Sequence, residues 1–198
     1  YILLGIVIIV LAIMGYSKYY KAPREIKAQQ QIYVAEKYFE KDSLNKALNG
    51  DGNYPGFKTI VAKYGNTKAG NLAHYYLGII YLKQGEFNKA IEELKDFSSD
   101  DKIIGPLALG AIADAYMELK QTEKAADYYL EAAEHNTNNF TTPMFLFKAG
   151  LAYEECGKLN KAHKLYTRIK KEFFRSNEGR EIDKYISFIE NNPKFKNK

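Results

Sequence analysis

Residues 49–59, "NGDGNYPGFKT", gather the groups in this chain most suited to chemistry: three glycines, an aspartate, a lysine and a threonine. A phosphate-binding loop needs Gly directly before Lys and Ser or Thr, behind a hydrophobic strand, so that amides and ammonium surround phosphate oxygens. Here Phe57 separates Gly56 from Lys58, and no strand-forming run precedes the loop. Asn49, Asp51 and Asn53 have the alternating spacing of a calcium loop, yet Tyr54 stands where Gly is required and Ile60 where a bidentate Glu is required. The segment is expected to be structural, binding neither nucleotide nor calcium. His74, His135 and His163 fall in separate segments without paired ligand spacing. Cys156 and His163 straddle one turn, but a Cys–His nucleophile needs a third orienting group and a pocket, and neither is legible. Glu92-Glu93 and Glu154-Glu155 read as solvated surface or groove charge, and Asp100-Asp101 as a helix start, where negative charge is favourable. No catalytic residue, metal cluster or cofactor site follows from the sequence.

The elements that would position these side chains repeat. Gly78, Tyr81 and Ala90 keep intervals of three and twelve residues, and so do Ala35, Tyr38 and Ala47; Ala113, Tyr116 and Ala125; and Gly150, Tyr153 and Ala162. The copies are offset by 43, 35 and 37 residues. In each, a turn separates the Tyr from the late Ala: Asp42-Ser43, Gln84-Gly85, Lys120-Gln121 and Cys156-Gly157. Antiparallel helices joined so tightly approach only where side chains are small, so Gly or Ala is expected to face Ala, with Tyr filling the space beside them. One hairpin cannot bury its apolar face alone, and successive hairpins must stack. Pro106 and Pro143 sit where helices begin, and Thr142 is the expected N-cap of its helix. The offset of 43 is explained if "NGDGNYPGF" breaks a second helix that resumes at "KTIVAKYG". After the fourth copy, Ile182, Tyr185, Ile186 and Ile189 lie on one helical face, suited to closing the end of a stack.

The first sixteen residues carry no charge. As a helix they rise about 24 Å, and continuing to Tyr20 approaches the roughly 30 Å of a bilayer's hydrocarbon. Tyr1 at one end and Tyr16, Tyr19 and Tyr20 at the other suit an interfacial belt, with Lys18, Lys21 and Arg24 at the exit. A transmembrane anchor over residues 1–20 is the reading adopted; a signal peptide cleaved near Gly15-x-Ser17 and a buried helix are its rivals. The chain starts without Met, which implies residues upstream. The formal charge of +5, from 29 basic and 24 acidic residues, is spread out and does not point to nucleic acid. Cys156 is the single cysteine, so no intrachain disulfide forms. It is expected to be an inert, small core residue.

The spaced signature resembles the tetratricopeptide-repeat family over residues 28–175. The expected fold is all-α: a transmembrane helix over 1–20, a linker over 21–27, about four hairpins over 28–175, a capping helix over 176–191 and a basic tail over 192–198. In that family the first helix of each hairpin lines a concave groove. By register this implies partner contacts at Ile32, Glu36 and Phe39; Leu72, Tyr75, Ile79 and Leu82; Leu107, Asp114 and Met117; and Phe147, Leu151 and Glu154. Members that grip chaperone tails carry Lys and Asn at two groove positions. Ile32/Glu36, Tyr75/Ile79, Gly110/Asp114 and Phe147/Leu151 stand there instead, which does not support that activity. An apolar groove suits extended apolar segments or a partner's helix.

The N-terminal span, "ALNGDG" and "YGNTKAGNLAHYYLGIIYL" also resemble the family of inner-membrane tetratricopeptide proteins that accompany the bacterial Sec translocon. That resemblance implies a periplasmic repeat domain, translocon subunits, exported chains or periplasmic chaperones as partners, and no enzymatic activity. The visible basic flank alone would place the domain in the cytoplasm; the resemblance, which runs along the chain, is preferred. The alternatives are a membrane-tethered scaffold for envelope or secretion-machine assembly, and a soluble periplasmic protein released from a signal peptide.

Overall fold

A computed structural model describes residues 1–196. Among them the regular structure is helical, with one isolated bridge between Gly50 and Pro55. The chain divides into two compact units, the second beginning at Tyr81.

In the first unit, α1 (Ile2–Tyr16) passes through a π-helical turn, Ser17–Lys21, into α2 (Ala22–Glu40) without a break. By length and composition this is the one helix among the described residues apolar enough to cross a membrane. The expected linker over 21–27 is therefore helical. Pro23 withholds one N–H from the ladder and stands two residues past the π turn, where Ala22 N–H donates to Ser17 O. Helices α3 (Leu44–Asn49) and α4 (Phe57–Tyr64) are the two pieces of the broken second helix. Between them the backbone reverses at Gly50 and Gly52, with φ of 91° and 94°. A Cβ on Gly56 would lie 2.4 Å from Gly50 N, so the loop closes only with Gly there. The core holds Ala28, Ile32, Ala35, Ala47, Phe57 and Ile60, joined by Ala73, Leu77 and Ile80 of α5 (Lys68–Lys83).

The second unit stacks α6 (Phe87–Asp96), α7 (Ile104–Glu118), α8 (Thr122–His135), α9 (Thr141–Glu155), α10 (Leu159–Glu172) and α11 (Asn177–Glu190), followed by the short α12 (Pro193–Lys196). Helix α11 buries Ile182 and Ile189 and rests Tyr185 and Ile186 on the core. Of the expected basic tail, residues 197–198 lie outside the described residues.

The backbone repeats with the sequence. Asp42, Gly85, Lys120 and Gly157 all adopt left-handed conformations, with φ of 53°, 75°, 58° and 74°. At each, the next residue's N–H donates to the signature tyrosine's carbonyl, from Ser43 to Tyr38, Glu86 to Tyr81, Gln121 to Tyr116 and Lys158 to Tyr153, at 2.7–2.9 Å. The left-handed residue's own N–H donates to the residue after the tyrosine, as from Lys120 to Met117. This pair of bonds satisfies carbonyls that a helix end leaves open. The late alanines then donate the first bond of the following helix: Ala47 to Ser43, Ala90 to Glu86, Ala125 to Gln121 and Ala162 to Lys158. All four alanines are fully buried.

Two expectations about packing are corrected. The atoms nearest a Cβ on Gly150 belong to the Tyr166 ring, at 2.2 Å, so an aromatic on the facing helix occupies the space assigned to Ala162. Thr142 is not the N-cap of α9; Asn138 Oδ1 accepts from the N–H groups of Phe140 and Thr141, both at 2.8 Å. The Thr142 hydroxyl is buried and donates instead to Ala133 O at 3.1 Å, closing the end of α8. In the preceding repeat Asp101 Oδ1 performs the same task for Ile103 and Ile104, at 2.8 and 2.9 Å.

Candidate functional site

The groove residues fall into three environments. Ile32 is only 5% exposed and belongs to the core, which corrects its assignment to the groove. Helix α2 packs against both α3 and α4, and Ile32 is buried along it. In the first unit Phe39, Leu72, Tyr75 and Ile79 remain half-buried. Phe39 meets the edge of Tyr76 at 5.1 Å, Tyr76 stacks on Phe57 at 4.9 Å, and Tyr75 meets Tyr76 edge-on at 5.8 Å. Such contacts hold the aromatic surface in fixed geometry. The Tyr76 hydroxyl bonds the Glu36 carboxylate; burial raises the Glu36 pKa, and burial together with Glu36 raises that of Tyr76 to about 12.

In the second unit Leu82, Asp114 and Met117 come together, with Lys83, Gly85, Phe87 and Glu118, around an open cleft of about 390 Å³. Its acidic wall is anchored. Asp114 Oδ1 accepts from the Tyr129 hydroxyl and, at 2.8 Å, from Lys148 Nζ, which also lies over the Tyr129 ring at 5.2 Å. Burial, then Asp114, pushes the Tyr129 hydroxyl far above its ordinary pKa, so it stays a donor. Asp114 keeps 40% of its side chain exposed and remains reachable from solvent.

Phe147, Leu151 and Glu154 lie further along α9. The Phe147 ring packs on Tyr166 at 5.9 Å and edge-on against Tyr185 of α11 at 4.8 Å, so the closing helix shields part of it. Leu151 is 41% exposed. Glu154 accepts from the Tyr166 hydroxyl, and Leu107 packs half-buried against the core. The partners Tyr76, Tyr129, Lys148 and Tyr166 escape a reading by spacing, because each acts from a helix other than the one bearing the residue it holds.

The groups with latent chemistry are otherwise engaged. The Asp51 carboxylate accepts from the N–H groups of Asn53 and Tyr54, at 3.0 and 2.7 Å, and from the Tyr38 hydroxyl at 2.6 Å. These bonds hold its pKa below the usual carboxylate range, the Tyr38 hydroxyl contributing most. Its oxygens therefore organise the turn. His135 Nε2 lies 2.9 Å from Ser99 O, and His163 Nε2 lies 3.0 Å from Glu190 Oε1. Cys156 Sγ is 3.5 Å from Tyr153 O. Among the described residues no three His, Cys, Asp or Glu side chains gather as a metal site.

Comparison with known proteins agrees with the repeat. Residues 72–100 match the tetratricopeptide repeat family. Over 117 residues the chain is 31% identical to the uncharacterized protein ycf37 of Guillardia theta, covering 57% of this chain and 64% of that protein. The chain thus spans less than two thirds of that relative's length.

Proposed function

We propose that the chain is a membrane-anchored, non-enzymatic interaction module, and that its second-unit cleft takes an extended or helical segment of a protein partner. The observation that carries this is the cleft itself. Leu82 and Met117 stay half-exposed beside an anchored, reachable Asp114, while neighbouring side chains on the same helices are shut into the core. A segment with apolar anchors and one basic or amide group would satisfy that surface. The repeat match supports a role in protein contacts, and the apolar helix supports the anchor.

The finer reading is an accessory subunit or chaperone-like scaffold beside the Sec translocon, with the repeats in the periplasm. Its support is the sequence resemblance along the chain. An anchored groove near an export channel raises the effective concentration of emerging chains, so weak contacts suffice for capture. The test is a photo-crosslinker at Tyr75 or Met117 in spheroplasts, paired with added protease. The expected outcome is digestion of the repeats and crosslinks to translocon subunits, exported chains or periplasmic chaperones. Protection from protease would place the repeats in the cytoplasm and end the export reading. Digestion with crosslinks only to other envelope proteins would favour a scaffold of envelope or secretion-machine assembly.

A further inference from the structure

At the π turn the first unit holds a cavity of about 230 Å³, bordered by Ser17, Lys21, Ala22, Arg24, Glu25, Asn66, Thr67 and Lys68. Three cations face one carboxylate, and that carboxylate is committed. Glu25 accepts from the N–H of Lys68 at 2.7 Å, from that of Ala69 at 3.2 Å and from Gln29 Nε2 at 3.1 Å. Thr67 Oγ1 takes the next amide of α5, that of Gly70, at 2.9 Å. The amides opening α5 are thus closed from within, and the positive field in the cavity comes from side chains. Arg24 is held in place rather than free to sweep solvent. It donates to Lys63 O, and its guanidinium lies over Tyr20 at 5.2 Å and Tyr64 at 5.5 Å. Its Nε is shut from solvent and has no hydrogen-bond partner. Among the described residues none of Lys21, Arg24 and Lys68 forms an ion pair. A guanidinium fixed by Lys63 O and two tyrosine rings shares the lining with Lys21, Lys68 and Ser17, and this positive, hydrogen-bonding surface suits the oxygens of a phosphate.

The position selects the source of that phosphate. The cavity begins at Ser17, the last residue of the uncharged run, and continues through Lys21, Arg24 and Glu25 just past the proposed span. In a bilayer the headgroup layer occupies roughly the 5–7 Å beyond the hydrocarbon on each side, about four residues of helical rise. We propose that this cavity binds the phosphate of an anionic phospholipid headgroup; the inference rests on the anchored reading above. A zwitterionic headgroup carries its own cation into a site that already holds three, and binds less well. Basic side chains at a membrane surface contribute enough attraction for such a choice.

The test uses the full chain in detergent micelles, with native mass spectrometry counting bound phosphatidylglycerol and phosphatidylcholine. The expected result is one phosphatidylglycerol retained about tenfold over phosphatidylcholine, with the preference lost in Lys21→Gln/Lys68→Gln. Lys18→Gln/Lys27→Gln removes the same charge from residues outside the cavity and should leave the preference intact. Equal retention of the two lipids, or equal losses in both double variants, overturns the site in favour of diffuse attraction. Displacement of the lipid by an equimolar amount of inorganic phosphate would assign the cavity to a free anion and overturn the lipid. Carbonate extraction of membranes reads the anchor separately. A chain that resists extraction but shows no lipid preference refutes this inference alone; a chain that washes off refutes the anchored reading and the inference together.

Discussion

Lys120 sits in a backbone conformation that costs a side chain about 1–2 kcal/mol, while Gly85 and Gly157 occupy the equivalent turns without that cost. Lys120→Gly should therefore stabilise the protein by about 0.5–1 kcal/mol, despite the greater freedom it gives the unfolded chain. Gly157→Ala should destabilise by a similar amount, because a Cβ there meets no atom within 4 Å and the cost is purely conformational. Urea midpoints of the two variants, moving in opposite directions, check both. A second residue-scale effect comes from the tyrosines bonded to carboxylates. Tyr76 titrates at about 12 in the fold, against an ordinary value near 10 in the unfolded chain. The unfolded state loses its proton first as pH rises. The contribution of Tyr76 to stability is thus fully present below pH 10 and is lost between about 10 and 12. Tyr129, Tyr153 and Tyr166 are shifted the same way by burial and by Asp114, Asp127 and Glu154. Chemical denaturation at pH 8, 10 and 11.5 should show a falling midpoint, and Tyr76→Phe should flatten part of the fall. A midpoint independent of alkaline pH would contradict this account.

The helical hairpins were legible at the element scale because their signature is backbone geometry. The tyrosine whose carbonyl receives the turn and the alanine that opens the next helix have fixed places along the chain, so their spacing survives changes everywhere else. The turn residue itself is read only where it is glycine; Asp42 and Lys120 do the same work unannounced. Contacts between helices were less legible, since they depend on how far one helix slides along another. Hence Gly150 was matched with Ala162 although the Tyr166 ring, one turn further on, fills its space. Likewise Asp114 reads as a lone groove charge, although Tyr129 and Lys148 hold it from two other helices. Packing of this kind is unforgiving. Gly150→Ala, and Ala→Leu at positions 90, 125 and 162, should each overpack a closed contact and cost about 1–3 kcal/mol. Thermal unfolding of the four variants is the measurement; unchanged midpoints in all of them would show the register to be wrong.

At the scale of the whole molecule, α11 covers a face that α9 and α10 present. Helix α11 buries Ile182 and Ile189 and places Tyr185 beside Phe147 and Tyr166. A chain truncated after Arg175 would present that face to water, so its thermal midpoint should fall and its light scattering rise at equal concentration. An unchanged midpoint would mean that α11 is a passenger. At the other terminus, "KAPREIK", residues 21–27, reads as a linker between the apolar span and the repeats. The helix continues there because a π turn accommodates Pro23, while Glu25 and Arg24 bond the backbone at Lys68, Ala69 and Lys63. The consequence is mechanical. In the anchored state proposed above, a flexible tether would let the first unit wander through a hemisphere above the bilayer, whereas an unbroken helix to Glu40 would act as a mast of about 36 Å beyond Tyr16. Its braces at Glu25 and Arg24 resist bending, so a sideways pull on the first unit is delivered as torque on the span. A partner drawing on the protein, if the proposed anchor holds it, would thus tilt the span before it could stretch the connection.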